Sequence, residues 1–267
     1  MNEDLEQLLK SLGLKRILAI IDNELQRATK NKPSYSDLFV RLLREEYIAK
    51  QQRSMQYRIE QAKIPEKWTI QTFPFAEQPG VSKTVIKQLA ELDFIVQATN
   101  IVFIGETGVG KTGLASALLL SALENGYRGL FIKAQNLFDQ MYESLADRST
   151  SRLIHRMANI DLLLIDEMGY LNLKPEQSNI FFRLMEERYN RKSTIITTNL
   201  AYDDWYAFLG NKQMVKALLS RLRHHCHTIR IDGPSLRKPQ EENSPESKYS
   251  PLAGKTNHEP PREPAAT

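Results

Sequence analysis

Leu5, Leu8, Leu9 and Leu12 recur at helical spacing, and beyond Gly13 the rhythm resumes through Leu14, Ile17, Leu18, Ile21 and Leu25. Ser34, Ser36 and Asp37 then offer capping side chains after Pro33. They predict a long helix over 37–63, closed by Pro65. No glycine lies between Gly13 and Gly80, which suits a helical N-terminal segment. From Trp68 to Gly233 the rhythm changes. Short apolar runs at 101–104, 130–132, 162–165, 194–198 and 228–231 predict five buried strands. Helical stretches separate them near 111–124, 135–146, 151–157, 175–189 and 213–225. Such alternation predicts an α/β fold, a five-stranded parallel sheet with flanking helices.

The end of the chain has neither rhythm. Seven of the twelve prolines fall in residues 234–267, among Ser, Asn, Lys and Glu. That composition cannot bury enough surface to offset the entropy of ordering, so a disordered tail is expected. Three segments result: a helical N-terminal domain at 1–65, an α/β domain at 66–233 and the tail.

Composition sharpens this picture in two places. The formal net charge is +4, from 36 basic and 32 acidic residues. Residues 1–65 hold 12 of the former and 9 of the latter, so most of the excess lies on the N-terminal helices. A single cysteine excludes a disulfide framework and a cysteine-cluster zinc site, and it fits a reducing compartment. With no run of about 18 apolar residues and an acidic start, MNEDLEQLLK, a cytoplasmic protein without a membrane partner is expected.

The candidate chemistry sits at strand ends. The first predicted strand runs into Gly105, Glu106, Thr107, Gly108, Val109, Gly110, Lys111 and Thr112, matching G-x-x-x-x-G-K-[ST] at every fixed position. Glycines let backbone N–H groups approach phosphate oxygens, and the following helix adds its positive dipole end. Lys111 is placed to reach the β- and γ-phosphates of ATP, and the Thr112 hydroxyl to ligate Mg²⁺. A second strand, LLLI, ends in Asp166 and Glu167. Asp166 suits a magnesium-linked carboxylate, and Glu167 a general base for water. A small-molecule kinase has no use for that second carboxylate, so hydrolysis is expected. Asn199 closes a third strand, TIITT, where an amide can hold the lytic water or serve as an ordinary turn residue. The run His224, His225, Cys226, His227 cannot converge on one ion, because successive side chains diverge. Arg41, Arg44, Lys50, Arg53, Arg58 and Lys63 share the long predicted helix with Tyr47 and Tyr57. By charge alone they read as a solvated face broken by Glu45, Glu46 and Glu60, or as a track for phosphates.

The order P-loop, Asp-Glu strand, Thr-Thr-Asn strand and Ser-Arg-Leu helix resembles an AAA+ ATPase of the DnaA/DnaC clade. It resembles the IstB-type transposition helpers more closely, in YSDLF at 35–39, AKIP at 62–65, NIVFIG at 100–105, LLLIDEMGY at 162–170 and LSRLRHH at 219–225. The resemblance spans about residues 5–237. It departs where Glu106 follows the first P-loop glycine, a position often aromatic or proline, and in the tail. The resemblance implies ATP and Mg²⁺ as cofactors, with Lys111, Thr112, Asp166, Glu167 and Asn199 in the nucleotide site. It implies Arg221 as an arginine finger acting in trans within a homo-oligomer. It also implies non-sequence-specific binding of duplex DNA through the basic N-terminal helix and a DDE-type transposase as partner. A full AAA+ module adds a helical lid after its fifth strand. The short Pro-rich tail predicts a module without that lid, and so without its sensor arginine. Two other readings share the core: a DnaC-type helicase loader, and a nucleotide-switch scaffold that does not hydrolyse ATP.

Overall fold

The structure, a computed structural model, describes residues 3–236. The tail expectation for 237–267 lies outside them. Three helices open the chain: α1 (Glu3–Ser11), α2 (Lys15–Asn31) and α3 (Tyr35–Gln61). Ser34 caps α3, its Oγ accepting from the Asp37 N–H at 3.1 Å, so the helix starts two residues before the predicted position. It ends at Gln61, and Lys63 takes a left-handed φ of 56° as the chain turns away before Pro65. Leu9, Ile17, Ile21 and Leu42 form a small core among the three helices. Glu46 of α3 caps α2 from outside, accepting from the N–H groups of Arg16 (2.7 Å) and Ile17 (2.9 Å).

Short α4 (Lys83–Leu89) and α5 (Asp93–Val96) lead to β1 (Asn100–Gly105) and α6 (Lys111–Glu124). Then come β2 (Gly129–Lys133), α7 (Ala134–Ala146), α8 (Thr150–Ala158) and β3 (Leu162–Met168). The domain continues through α9 (Pro175–Arg188), β4 (Ser193–Thr198), α10 (Trp205–Leu209), α11 (Lys212–His224) and β5 (Cys226–Ile231). All five predicted strands and their separating helices form, with ends shifted by at most three residues. The sheet is parallel, in the order β2-β3-β4-β1-β5. Successive strand residues point to opposite faces. Val102 and Ile104 meet the core under α7, α8, α9 and α11, while Ile101 and Phe103 meet α6. Both faces are covered, as a parallel sheet requires.

The N-terminal helices attach to this domain through hydrogen bonds to backbone carbonyls. Arg58 Nε donates to the Leu123 carbonyl at 3.0 Å, and the Phe131 N–H donates to the Ala62 carbonyl at 2.8 Å. Among the described residues, only an extended stretch as far as Leu236 follows β5.

One buried cation ties the sheet to α8. Arg188, 1% exposed, donates to the carbonyls of Met157 (2.7 Å) and Ile160 (2.8 Å), to Thr194 Oγ1 (2.9 Å), and to the Ser193 carbonyl. Arg188→Ala orphans these acceptors, and we expect it to cost about 3 kcal/mol or more. Urea unfolding measures this, and an unchanged midpoint would contradict it.

Candidate nucleotide-binding site

The P-loop joins β1 to α6 at the C-terminal edge of the sheet, where α/β folds place their ligands. Gly108 and Gly110 take φ values of 88° and 96°, which few other residues adopt. Neither has room for a side chain. A Cβ on Gly108 would strike the Ser235 side chain, and one on Gly110 would lie 2.7 Å from the Phe73 ring. The Lys111 ammonium spans the loop, donating to the carbonyls of Gly105 and Glu106, both at 2.8 Å.

Asp166 lies opposite, 1% exposed. Its Oδ1 accepts from Thr112 Oγ1 at 2.8 Å and from Thr197 Oγ1 at 2.6 Å. Burial pushes its carboxyl above the usual range, against the pull of those two hydroxyls. Glu167 follows at a break in the β3–β4 register, with φ of 60°. Its N–H donates to Thr197 Oγ1 at 2.9 Å, so one threonine fixes both acidic residues. The Glu167 carboxylate is 46% exposed and accepts from Lys133 Nζ at 2.9 Å. Asn199 Oδ1 is buried without a hydrogen-bond partner, and so is Ser116 Oγ. Both residues line the same cavity, of about 650 Å³, with the P-loop, Asp166 and Glu167. Unpaired buried acceptors are costly, and here two belong to residues lining a space that also holds phosphate-binding and magnesium-binding residue types. The residues fit a Mg²⁺–nucleotide ligand.

The cavity mouth is made by residues that motif reading overlooks. Pro65, Glu66 and Trp68 line one side and Leu236 the other. The Trp68 indole donates to Glu66 at 2.6 Å, and its ring packs on Gly113. The Leu236 N–H donates to the Gly108 carbonyl at 2.9 Å, tying the strand-exit segment to the P-loop.

The chain matches a family described as IstB-like ATP binding protein over residues 7–244. It belongs to that family. An IS21 insertion-sequence protein of Pseudomonas aeruginosa, named as ATP-binding, is 33% identical over 88% of each chain. The IS5376 counterpart from Geobacillus stearothermophilus is 35% identical over 79% of this chain and 84% of its own. Among solved structures, the replication initiator DnaA bound to AMPPCP and single-stranded DNA aligns with a TM-score of 0.53 and 23% identity. That match covers 64% of this chain and 51% of DnaA. The DnaC helicase loader gives 0.50 and 24%, over 56% and 88%. These two establish the shared AAA+ fold. The family description supports ATP binding by the chain.

The remaining predicted residues lie elsewhere. Arg221, on α11, is absent from the described lining of the nucleotide cavity and pairs with Glu186 at 3.0 Å. It borders a separate cavity of about 190 Å³ with Asn100, Met214 and Leu218. Three of the six basic residues proposed for DNA hold intramolecular partners instead. Arg41 pairs with buried Glu24 at 2.6 Å, Arg53 with buried Glu46 at 2.7 Å, and Arg58 anchors α3 to α6. Arg44, Lys50 and Lys63 have no ion-pair partner among the described residues. His224 and His225 stack edge-on at 4.3 Å, and no cluster of metal ligands occurs among the described residues. No described helix is long and apolar enough to cross a membrane.

Proposed function

We propose that the chain hydrolyses ATP with Mg²⁺ inside homo-oligomers that assemble on duplex DNA, and that these prepare the DNA for a partner transposase. One observation carries the reading. Among the described residues the nucleotide cavity holds the P-loop lysine, the Asp166–Glu167 pair and an orphaned amide oxygen, yet no arginine, while Arg221 is part-exposed on α11.

Each side chain then has a role. The P-loop N–H groups and Lys111 bind the β- and γ-phosphates, and Lys111 exchanges its carbonyl partners for phosphate oxygens. Thr112 and Asp166 would hold Mg²⁺, whose charge would supply electrostatic stabilisation at the phosphates. Asn199 Oδ1 accepts from the attacking water, and Glu167 takes its proton. A neighbour's Arg221 stabilises the γ-phosphate charge, so an isolated protomer turns over slowly. Arg44, Lys50 and Lys63 are open to DNA phosphates. The insertion-sequence context of the relatives supports a transposase partner over a replicative helicase.

The test is a gel shift of plain duplex DNA with ATP, run beside phosphate release on the same samples. Duplex binding with DNA-stimulated release supports the reading. Preference for single strands would point to a helicase loader, and ATP binding without release to a nucleotide-switch scaffold.

A further inference from the structure

β2 is the outermost strand at one side of the sheet, so the peptide groups along its outer edge have no strand partner. A groove of about 800 Å³ runs along that edge, between the end of α3 and the helices α7 and α8. Five charged side chains line it: Arg58, Lys63, Arg128, Lys133 and Arg156. All are basic. In a chain with 36 basic and 32 acidic residues, composition does not explain a lining of one sign.

Nor do neighbouring carboxylates cancel it. Arg156 donates to the Gln140 side-chain carbonyl at 3.1 Å, and Arg58 to the Leu123 carbonyl and to Ser54. These acceptors are neutral. Lys63 has no ion-pair partner among the described residues, and it sits at a φ of 56° that lysine seldom takes. Arg128 shares Asp161 with Lys192, and Lys133 faces Glu167. Arg58, Lys63 and Arg156 thus have no carboxylate in an ion pair among the described residues.

We propose that this groove seats the sugar-phosphate backbone of DNA, with Lys63 and Arg156 as its principal phosphate contacts. The proposal rests on the DNA-binding reading above, and it moves the main contact from the stripe on α3 to the edge of the ATPase core. Dimensions agree. Five strand residues span roughly 16 Å at 3.3 Å each. One strand of a duplex advances about 3.4 Å along the helix axis per phosphate and further along its own winding path, so a short run of phosphates passes along that length. Tyr57, Asn136 and Gln140 in the lining add neutral groups of the kind that hydrogen-bond phosphate oxygens. The competing occupant, an acidic peptide added as a sixth strand, is disfavoured by the edge itself. Phe131 is the central residue of β2, and its outward N–H is already taken by the Ala62 carbonyl at 2.8 Å, which interrupts any new ladder.

The test uses the full-length chain with ATP, measuring affinity for a plain duplex by fluorescence anisotropy across a salt series. The double substitution Lys63→Gln/Arg156→Gln is compared with Arg44→Gln/Lys50→Gln on α3. Melting temperature and ATP binding of both variants serve as folding controls. The groove variant is expected to lose about tenfold or more in affinity. Its slope of log affinity against log salt should fall by about 1.8, or 0.9 per phosphate contact. The α3 variant should lose less. Arg156→Glu alone should reproduce the loss. Natural affinity and slope in the groove variant, beside a natural chain that binds, would overturn the groove and leave the DNA reading standing. Failure of the natural chain to bind duplex at all would overturn both. A groove variant that keeps DNA but no longer retains the transposase would mark a protein-docking site and overturn the assignment to DNA.

Discussion

Glu167→Gln is expected to bind ATP as the natural chain does and to turn it over about a thousand-fold more slowly, within the range for removal of a general base. The substitution isolates chemistry because its surroundings do not depend on the carboxylate. The bond that positions residue 167 comes from its backbone N–H to Thr197, and glutamine keeps it. The side chain is half exposed, so no buried packing is lost. In the proposed mechanism phosphate binding belongs to the P-loop and magnesium binding to Thr112 and Asp166, and the substitution touches neither. What disappears is a carboxylate able to take a proton from water. Only the contact with Lys133 weakens, and an exposed ion pair contributes little to stability. Nucleotide affinity by fluorescent-analogue titration and single-turnover hydrolysis together check the result. Full turnover in this variant would remove Glu167 from the mechanism.

Arg221→Ala should show a loss of comparable or larger size for a different reason. Arginine fingers contribute about 10³–10⁵-fold in nucleotide hydrolysis. Among the described residues Arg221 pairs with exposed Glu186 alone, so removing it should leave folding and ATP binding intact. The decisive form of the experiment mixes two inactive proteins. Arg221→Ala retains an intact P-loop, and Lys111→Ala retains an intact finger. Mixed assemblies then contain some sites with a working P-loop facing a working Arg221, and hydrolysis should return to a measurable fraction of the natural rate. Natural activity in Arg221→Ala alone would contradict the finger, and absence of recovery in the mixture would contradict action in trans.

The sequence carried whatever depends on short spacing. The P-loop, the Asp166–Glu167 pair and Asn199 each follow an apolar run that forms a strand, and α6 spans the predicted 111–124. Short helices were missed because α4, α5 and α10 hold too few turns for a period to show. The rest of the site depends on non-local approach. Thr197 looked like one polar residue in TIITT, and only the sheet register brings its hydroxyl between Asp166 and Glu167. Lys133 ends a strand with no motif of its own, and Trp68 and Leu236 reach the cavity from segments flanking the sheet domain. Arg41 illustrates another non-local effect. Its charge was legible, but Glu24 neutralises it from another helix, and that pairing exists only once α2 and α3 pack.

Turnover per protomer, measured against protein concentration with and without plain duplex DNA, tests the account most directly. A site completed by a neighbour's arginine on DNA predicts a rate that climbs with concentration, and DNA should shift that climb to lower concentration. A rate per protomer that stays flat across concentration and ignores DNA would contradict it.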